Sequence, residues 1–256
     1  MKKQLFALLF ALVPIGSFAA GGEEVHLQHM SPNLSDQPSL QRGMQLYVNY
    51  CMGCHSLEYQ RFSRAAEDLA MPEDLVVDNL IFSPELGFND QMHKAMSDED
   101  AATWFGQSPP DLTLESRLRG TDWIYTYLLS FYRDAERPTG TNNLVFPAVG
   151  MPNVLESLQG VQEKVCTAEN EGKGNAQVDS LSGKHQSCDS LELVSPGEME
   201  PAEFEEAVYD LTNFLAYVGE PSRLQAQALA PKVLIFIFIF GVIAYLLKRE
   251  YWRDVH

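Results

Sequence analysis

The chain has 256 residues, with 35 acidic against 18 basic side chains and a formal charge of −17. That length holds one domain of moderate size plus extra segments. So acidic a surface repels nucleic acid and attracts basic partners, which removes nucleic-acid binding from the functions open to it.

Residues 1–20 begin with Lys2 and Lys3, run apolar from 5 to 13 and end in GSFAA. This is the pattern of a secretory signal peptide, cleaved after Ala19 or Ala20, and the apolar run is too short for a membrane span. The main domain is expected over 21–222. It opens with a polar, Pro-containing arm to about 38. Leu40, Gly43, Met44, Tyr47 and Cys51 then recur at helical spacing, with Ser39 as the expected N-cap. The stretch Cys51-Met52-Gly53-Cys54-His55 therefore falls at the C-terminal end of a helix.

From 56 to 110, Pro72, Pro84, Pro109 and Pro110 divide the chain into short helical patches, one near 98–105 behind Ser97. The next helix carries an apolar stripe of Trp123, Ile124, Tyr127, Leu128 and Phe131, capped by Thr121 or Asp122. Residues 138–160 read as loop. Residues 160–197 are polar and read as an irregular or hairpin insertion containing Cys166 and Cys188. In an oxidising compartment these two pair as a structural disulfide. Pro201 opens an amphipathic helix with Phe204, Val208, Leu211, Leu215 and Val218 on one face, ended by Gly219 and Pro221.

The uncharged run VLIFIFIFGVIAYLL, residues 233–247, makes about 22 Å of helix, short for a hydrocarbon core of about 30 Å. Its flanks extend it to an anchor expected over 223–249. Lys232 can snorkel, and Tyr245, Tyr251 and Trp252 supply interfacial aromatics. Lys248, Arg249 and Arg253 follow the run and mark 250–256 as a cytoplasmic tail. Signal peptide and single span together place the domain outside the cytoplasm, on the periplasmic side of a bacterial inner membrane. The acids cluster, with ten acids and one base from 67 to 100 and seven acids and no base from 192 to 210. Such clusters suit a docking surface for a basic partner.

Three chemistries compete for C-x-x-C-H. A dithiol oxidoreductase wants C-x-x-C at a helix N-terminus, where the dipole lowers the thiol pKa. Here the motif ends a helix. A zinc site wants a second ligand pair at matching spacing, and Cys166 and Cys188 do not supply one. Covalent haem attachment needs two thiols for thioethers and a following His to reach the iron, which is this spacing, and export fits it. His55 is then one axial ligand. Met44 and Met52 lie too close to the attachment helix to reach the opposite face. Met71, Met92 and Met96 stay open on residue chemistry alone. Met151 has the best setting, in a loop between Gly150 and Pro152.

These features together resemble the cytochrome c1 family, the haem subunits of ubiquinol–cytochrome c reductase (bc1) complexes. The resemblance runs over about 38–254. It rests on CHSLEYQRF, on PPDLTLESRLRG followed by DWIYTYLLSFYRD and RPTG, on FPAVGMP, and on GEPSR before a single span with a basic tail. It implies a mostly α, class I cytochrome c-like helical domain with long loops plus one C-terminal transmembrane helix, carrying one covalently attached haem c. It implies Met151 as distal ligand, Arg119 as partner of a haem propionate, Pro109 and Pro110 along the haem edge, and Trp123 in the pocket. The implied role is electron transfer with no substrate chemistry on this chain alone. An electron arrives from the Rieske iron–sulfur subunit and leaves to a basic cytochrome c, with a cytochrome b subunit around the span in a dimeric complex. The rival reading is a tail-anchored monohaem cytochrome c serving a terminal oxidase or another reductase.

Overall fold

The computed structural model describes residues 26–168, 177–178 and 185–253, with side chains undescribed from 166 to 189. The expected signal peptide and the last three residues of the tail lie outside the described residues. In chain order, α1 (Gln37–Leu46) continues as a π-helical turn (Tyr47–Cys51). There follow β1 (Leu57–Arg61), α2 (Phe62–Asp68), α3 (Glu73–Leu80), β2 (Gln91–Met92), α4 (Asp98–Phe105), α5 (Glu115–Leu118), α6 (Thr121–Leu129) and β3 (Phe131–Arg133). The chain ends with β4 (Thr141–Asn143), α7 (Glu156–Gln159), β5 (Gly160–Ala168), β6 (Gln177–Val178), β7 (His185–Pro196), α8 (Pro201–Gly219) and α9 (Arg223–Tyr251).

Helices build the core, as expected, and the described strands form small sheets in the orders β1-β2, β3-β4 and β5-β7-β6. The insertion is a hairpin, with β5 antiparallel to β7 from Gly160 opposite Pro196 to Ala168 opposite Gln186. Cys166 lies on β5 and Cys188 on β7. Their side chains, and so the disulfide expected between them, lie outside the described residues.

The centre of the core is the crossing of α1 and α8. Gly43 makes it possible: a Cβ there would stand 2.1 Å from the Asp210 carbonyl oxygen and 2.7 Å from Phe214 Cβ. The two backbones touch because one residue has no side chain. Beside this contact Arg42 grips Asp210 with two bonds, Nε to Oδ2 at 2.5 Å and Nη2 to Oδ1 at 3.1 Å. The Asp210 side chain is only 3% exposed. A buried carboxylate needs such a fork, and losing the partner of one typically costs about 3–5 kcal/mol. Leu40 and Met44 from α1, Tyr47 from the π turn and Leu211, Phe214 and Tyr217 from α8 fill the space around it.

Two expected caps are corrected. Ser39 is not the N-cap of α1: the cap is Asp36, whose carboxylate accepts from the Ser39 backbone N–H. Ser39 is buried inside the helix, and its hydroxyl accepts from Asn213 Nδ2 at 3.0 Å. Helix α6 is entered through Gly120 at φ 89°, with no side-chain cap from Thr121 or Asp122. The Asp122 carboxylate turns instead to the N-terminal arm, accepting from the Met30 N–H at 2.8 Å and meeting His29 Nδ1 at 3.1 Å. The stripe on α6 is also shorter than expected, because the helix ends at Leu129 and the buried Phe131 belongs to β3. The Ser97 cap of α4 is as expected, accepting from the Asp100 N–H.

Helix α9 has 29 residues, about 43 Å at 1.5 Å per residue, and it incorporates Pro231 and Lys232. Among the described residues it is the one helix long and apolar enough to cross a membrane, and none of its most apolar stretch is buried against the domain. An exposed helix of this kind fits a transmembrane anchor.

Candidate functional site

The C-x-x-C-H sits on a turn that the backbone fixes tightly. The π turn ends with the Met52 N–H donating to the Tyr47 carbonyl at 2.9 Å. Cys54 N–H and His55 N–H then both donate to the Cys51 carbonyl, at 3.0 and 2.9 Å. This coil brings the side chains of Cys51, Cys54 and His55 to the wall of one cavity. The buried Tyr47 locks it from behind, its hydroxyl donating to the His55 carbonyl at 2.7 Å. Segments on either side close over the turn. Met96 N–H donates to the Gly53 carbonyl at 3.1 Å and Leu112 N–H to the Ser56 carbonyl at 2.9 Å.

His55 Nδ1 lies 2.7 Å from the carbonyl oxygen of Pro110. A carbonyl can only accept, so Nδ1 carries the proton and Nε2 keeps its lone pair. Burial of the ring holds its pKa below the usual histidine value, against an opposing pull from the Pro110 carbonyl. The imidazole is therefore neutral at physiological pH and presents one free nitrogen.

Most of the remaining lining comes from two places. Helix α6 contributes Trp123, Ile124, Tyr127 and Leu128, and the loop after β4 contributes Phe146, Val149, Gly150, Met151 and Pro152. That loop has no regular structure. It is held by Arg137, whose Nη2 donates to the carbonyls of Ala148 at 2.8 Å and Val149 at 3.3 Å, and by Asn142 Oδ1, which accepts from the Ala148 N–H. Ala148 itself has φ 62°, in the left-handed region that non-glycine residues seldom adopt. Gly150, Met151 and Pro152, which follow, line the cavity. Leu211 and Leu215 of α8 close the floor.

Arg119 lies at the rim, just after α5. Its Nε donates to Glu115 Oε2 at 2.7 Å, and its guanidinium lies 4.4 Å from the Trp123 ring centroid. Both members of this ion pair line the cavity. The structure thus brings together every site residue read from the sequence outside the insertion: Cys51, Cys54, His55, Pro110, Arg119, Trp123 and Met151. Met71, Met92 and Met96 do not line the cavity; Met92 is instead fully buried in the core. Sequence reasoning missed Glu115, Phe146 and the loop-holding pair Arg137 and Asn142. It placed Tyr127 only on an apolar stripe. The RPTG segment gave the one signal that could have found Arg137.

The thiols separate the competing chemistries. Burial pushes the Cys51 thiol up to about 12, and burial also raises Cys54 despite the nearby Lys94 charge. A dithiol oxidoreductase needs the reverse, a depressed thiol that ionises near neutral pH. Among the described residues no group of three His, Cys, Asp or Glu side chains is placed to hold a metal ion. The donor set fits a haem instead. Two thiols, a neutral imidazole nitrogen and, from the loop after β4, a thioether sulfur that does not ionise line one apolar cavity.

A profile described as the Cytochrome C1 family matches residues 28–255. The chain is 45% identical over 256 residues, the full length of both chains, to a cytochrome c1 of Allochromatium vinosum. It is 38% identical over 256 residues, again the full length of both, to a protein of Nitrosomonas europaea named ammonia monooxygenase gamma subunit. A cytochrome c1 of Rhodospirillum rubrum is 26% identical over 285 residues, covering 100% of this chain and 98% of its own.

Proposed function

Since this chain belongs to the cytochrome c1 family, and so to the haem subunits of bc1 complexes, we propose that it holds one haem c by thioethers at Cys51 and Cys54. His55 Nε2 and the Met151 sulfur would hold its iron. The electron comes from the Rieske iron–sulfur subunit and goes to a basic cytochrome c. The observation that carries this reading is the pairing of His55 with the Pro110 carbonyl, on a cavity that Met151 also lines. The bound haem supplies one-electron oxidation and reduction. The chain's residues do the rest. The Pro110 carbonyl keeps the proton on Nδ1, so the ligand nitrogen needs no proton transfer during turnover. The apolar walls exclude water from the cavity. Arg119 brings a fixed positive charge to the rim, where a propionate would need one.

Topology extends the proposal. With a leader of secretory type at 1–20 and basic residues Lys248 and Arg249 ending α9, the haem domain over 21–222 faces the periplasm and the C-terminus the cytoplasm. The anchor, 223–249 by sequence, reaches Tyr251 as a helix. A cytochrome b subunit packs against its exposed apolar surface, and the exposed acids around α4 meet the basic acceptor.

Purification from membranes with spectra tests this. Co-elution with a b-type haem and a Rieske centre, together with a pyridine haemochrome of c type, supports it. Isolation as a lone cytochrome, or with a terminal oxidase, gives the tail-anchored rival. The Nitrosomonas europaea relative raises a second reading, a monooxygenase subunit; co-elution with a monooxygenase instead of b-type haem selects it.

A further inference from the structure

The ring of Tyr127 is held on both sides. It stacks on Trp123, with centroids 4.9 Å apart and 9° between planes, and meets Phe131 edge-on at 5.0 Å and 72°. From this clamp the phenol hydroxyl donates to the Met151 sulfur at 3.3 Å, and both residues line the cavity. Among the described residues that sulfur is the hydroxyl's one hydrogen-bond partner. The packing alone asks only for a ring. A phenylalanine would fill the slot without burying a hydroxyl, which costs free energy unless a partner is present.

Methionine has three rotatable bonds and no preferred direction at its sulfur. Met151 also sits in a loop rather than on a helix, so packing of its own backbone does not aim the thioether. A thioether sulfur carries two lone pairs. We propose that Tyr127 is a positioning residue for Met151: its hydroxyl takes one lone pair and leaves the other directed into the cavity for haem iron. This rests on the reading of Met151 as axial ligand.

The bond has an electronic consequence. A hydroxyl on the sulfur withdraws electron density from it, and ferric iron depends on that donation more than ferrous iron does. The contact therefore favours the reduced state. A hydrogen bond of this kind is worth about 1 kcal/mol net, roughly a fivefold change in an equilibrium.

The test uses the membrane-purified holoprotein and its Tyr127→Phe variant, which keeps the ring and deletes the donor. The readouts are the methionine-to-ferric-iron charge-transfer band and the oxidised-to-reduced ratio at fixed ambient potential. The band should persist at a shifted energy, and the ratio should rise about fivefold, equivalent to about 40 mV at 59 mV per tenfold. An unchanged band and ratio overturn the proposal. Met151→Leu separates the two levels. If that variant loses the band and its reduced form binds carbon monoxide, the ligand reading stands and an unchanged Tyr127→Phe sinks the hydroxyl's role alone. If Met151→Leu keeps the band, both fall.

Discussion

His55 Nδ1 and the Pro110 carbonyl oxygen stand 2.7 Å apart, though 55 positions separate the two residues in the chain. The acceptor is main chain, held by a Pro-Pro step whose φ angles are fixed and by the Leu112 N–H on the Ser56 carbonyl. Donation from Nδ1–H makes the opposite nitrogen more basic, which favours ferric iron. Pro110→Gly keeps the carbonyl but frees its direction. The midpoint potential of that variant, read by redox titration, should rise.

Arg119 and Glu115 should act in opposite directions on the same titration. A positive charge near the iron disfavours its oxidation, and a negative one favours it. Arg119→Gln is expected to lower the potential and Glu115→Gln to raise it, each by roughly 40 mV for about 1 kcal/mol of coupling. Shifts of the same sign in both variants would contradict the placement of this pair at the cavity rim.

Gly43→Ala drives a methyl group into the Asp210 carbonyl and Phe214. Neither backbone can give without opening the α1–α8 crossing, and α1 leads through the π turn into the C-x-x-C-H segment. A loss of about 3 kcal/mol is expected, at the upper end for overpacking. Thermal melts followed at the haem absorbance check it.

The N-terminal arm should release in acid. Asp122 is held below the usual carboxylate range, first by the Met30 N–H and then by His29. A depressed carboxylate pKa gives stability that is complete above the unfolded value, about pH 4, and fades as pH falls through the folded one. Hydrogen exchange at the Met30 amide should therefore quicken, relative to the amides of α6, only below about pH 4. In Asp122→Ala, which removes the acceptor, it should be fast at every pH.

Electron transfer to a basic cytochrome should slow as salt rises. Glu73 and Asp74 on α3 and Asp98, Glu99 and Asp100 on α4 are all exposed. Surface charges of this kind steer encounter and are screened over about 10 Å at 0.1 M salt. Stopped-flow rates flat across that range would exclude a role for them.

The parts of the site that were legible in the sequence are those set by local chemistry. Cys51, Cys54 and His55 announce themselves by spacing, and Met151 by sitting between Gly150 and Pro152. The helices α4 and α8 were legible from Ser97, Pro201 and the apolar stripe. What could not be read depends on contacts between distant segments. Asp122 looked like a helix cap, yet its carboxylate serves Met30, 92 positions away. Ser39 looked like another, but tertiary packing buries it against Asn213 and leaves capping to Asp36. Tyr127 counted as one more apolar residue because no pattern along the chain shows where its hydroxyl will land.

The join between domain and anchor is short. Helix α8 ends at Gly219 and α9 begins at Arg223, with Glu220, Pro221 and Ser222 between them. Three residues reach at most about 10 Å even when fully extended, and here the Arg223 N–H folds back to the Glu220 carbonyl at 3.1 Å. A join so short keeps the end of α8 beside the start of α9 and leaves little slack for the domain to stray from its anchor.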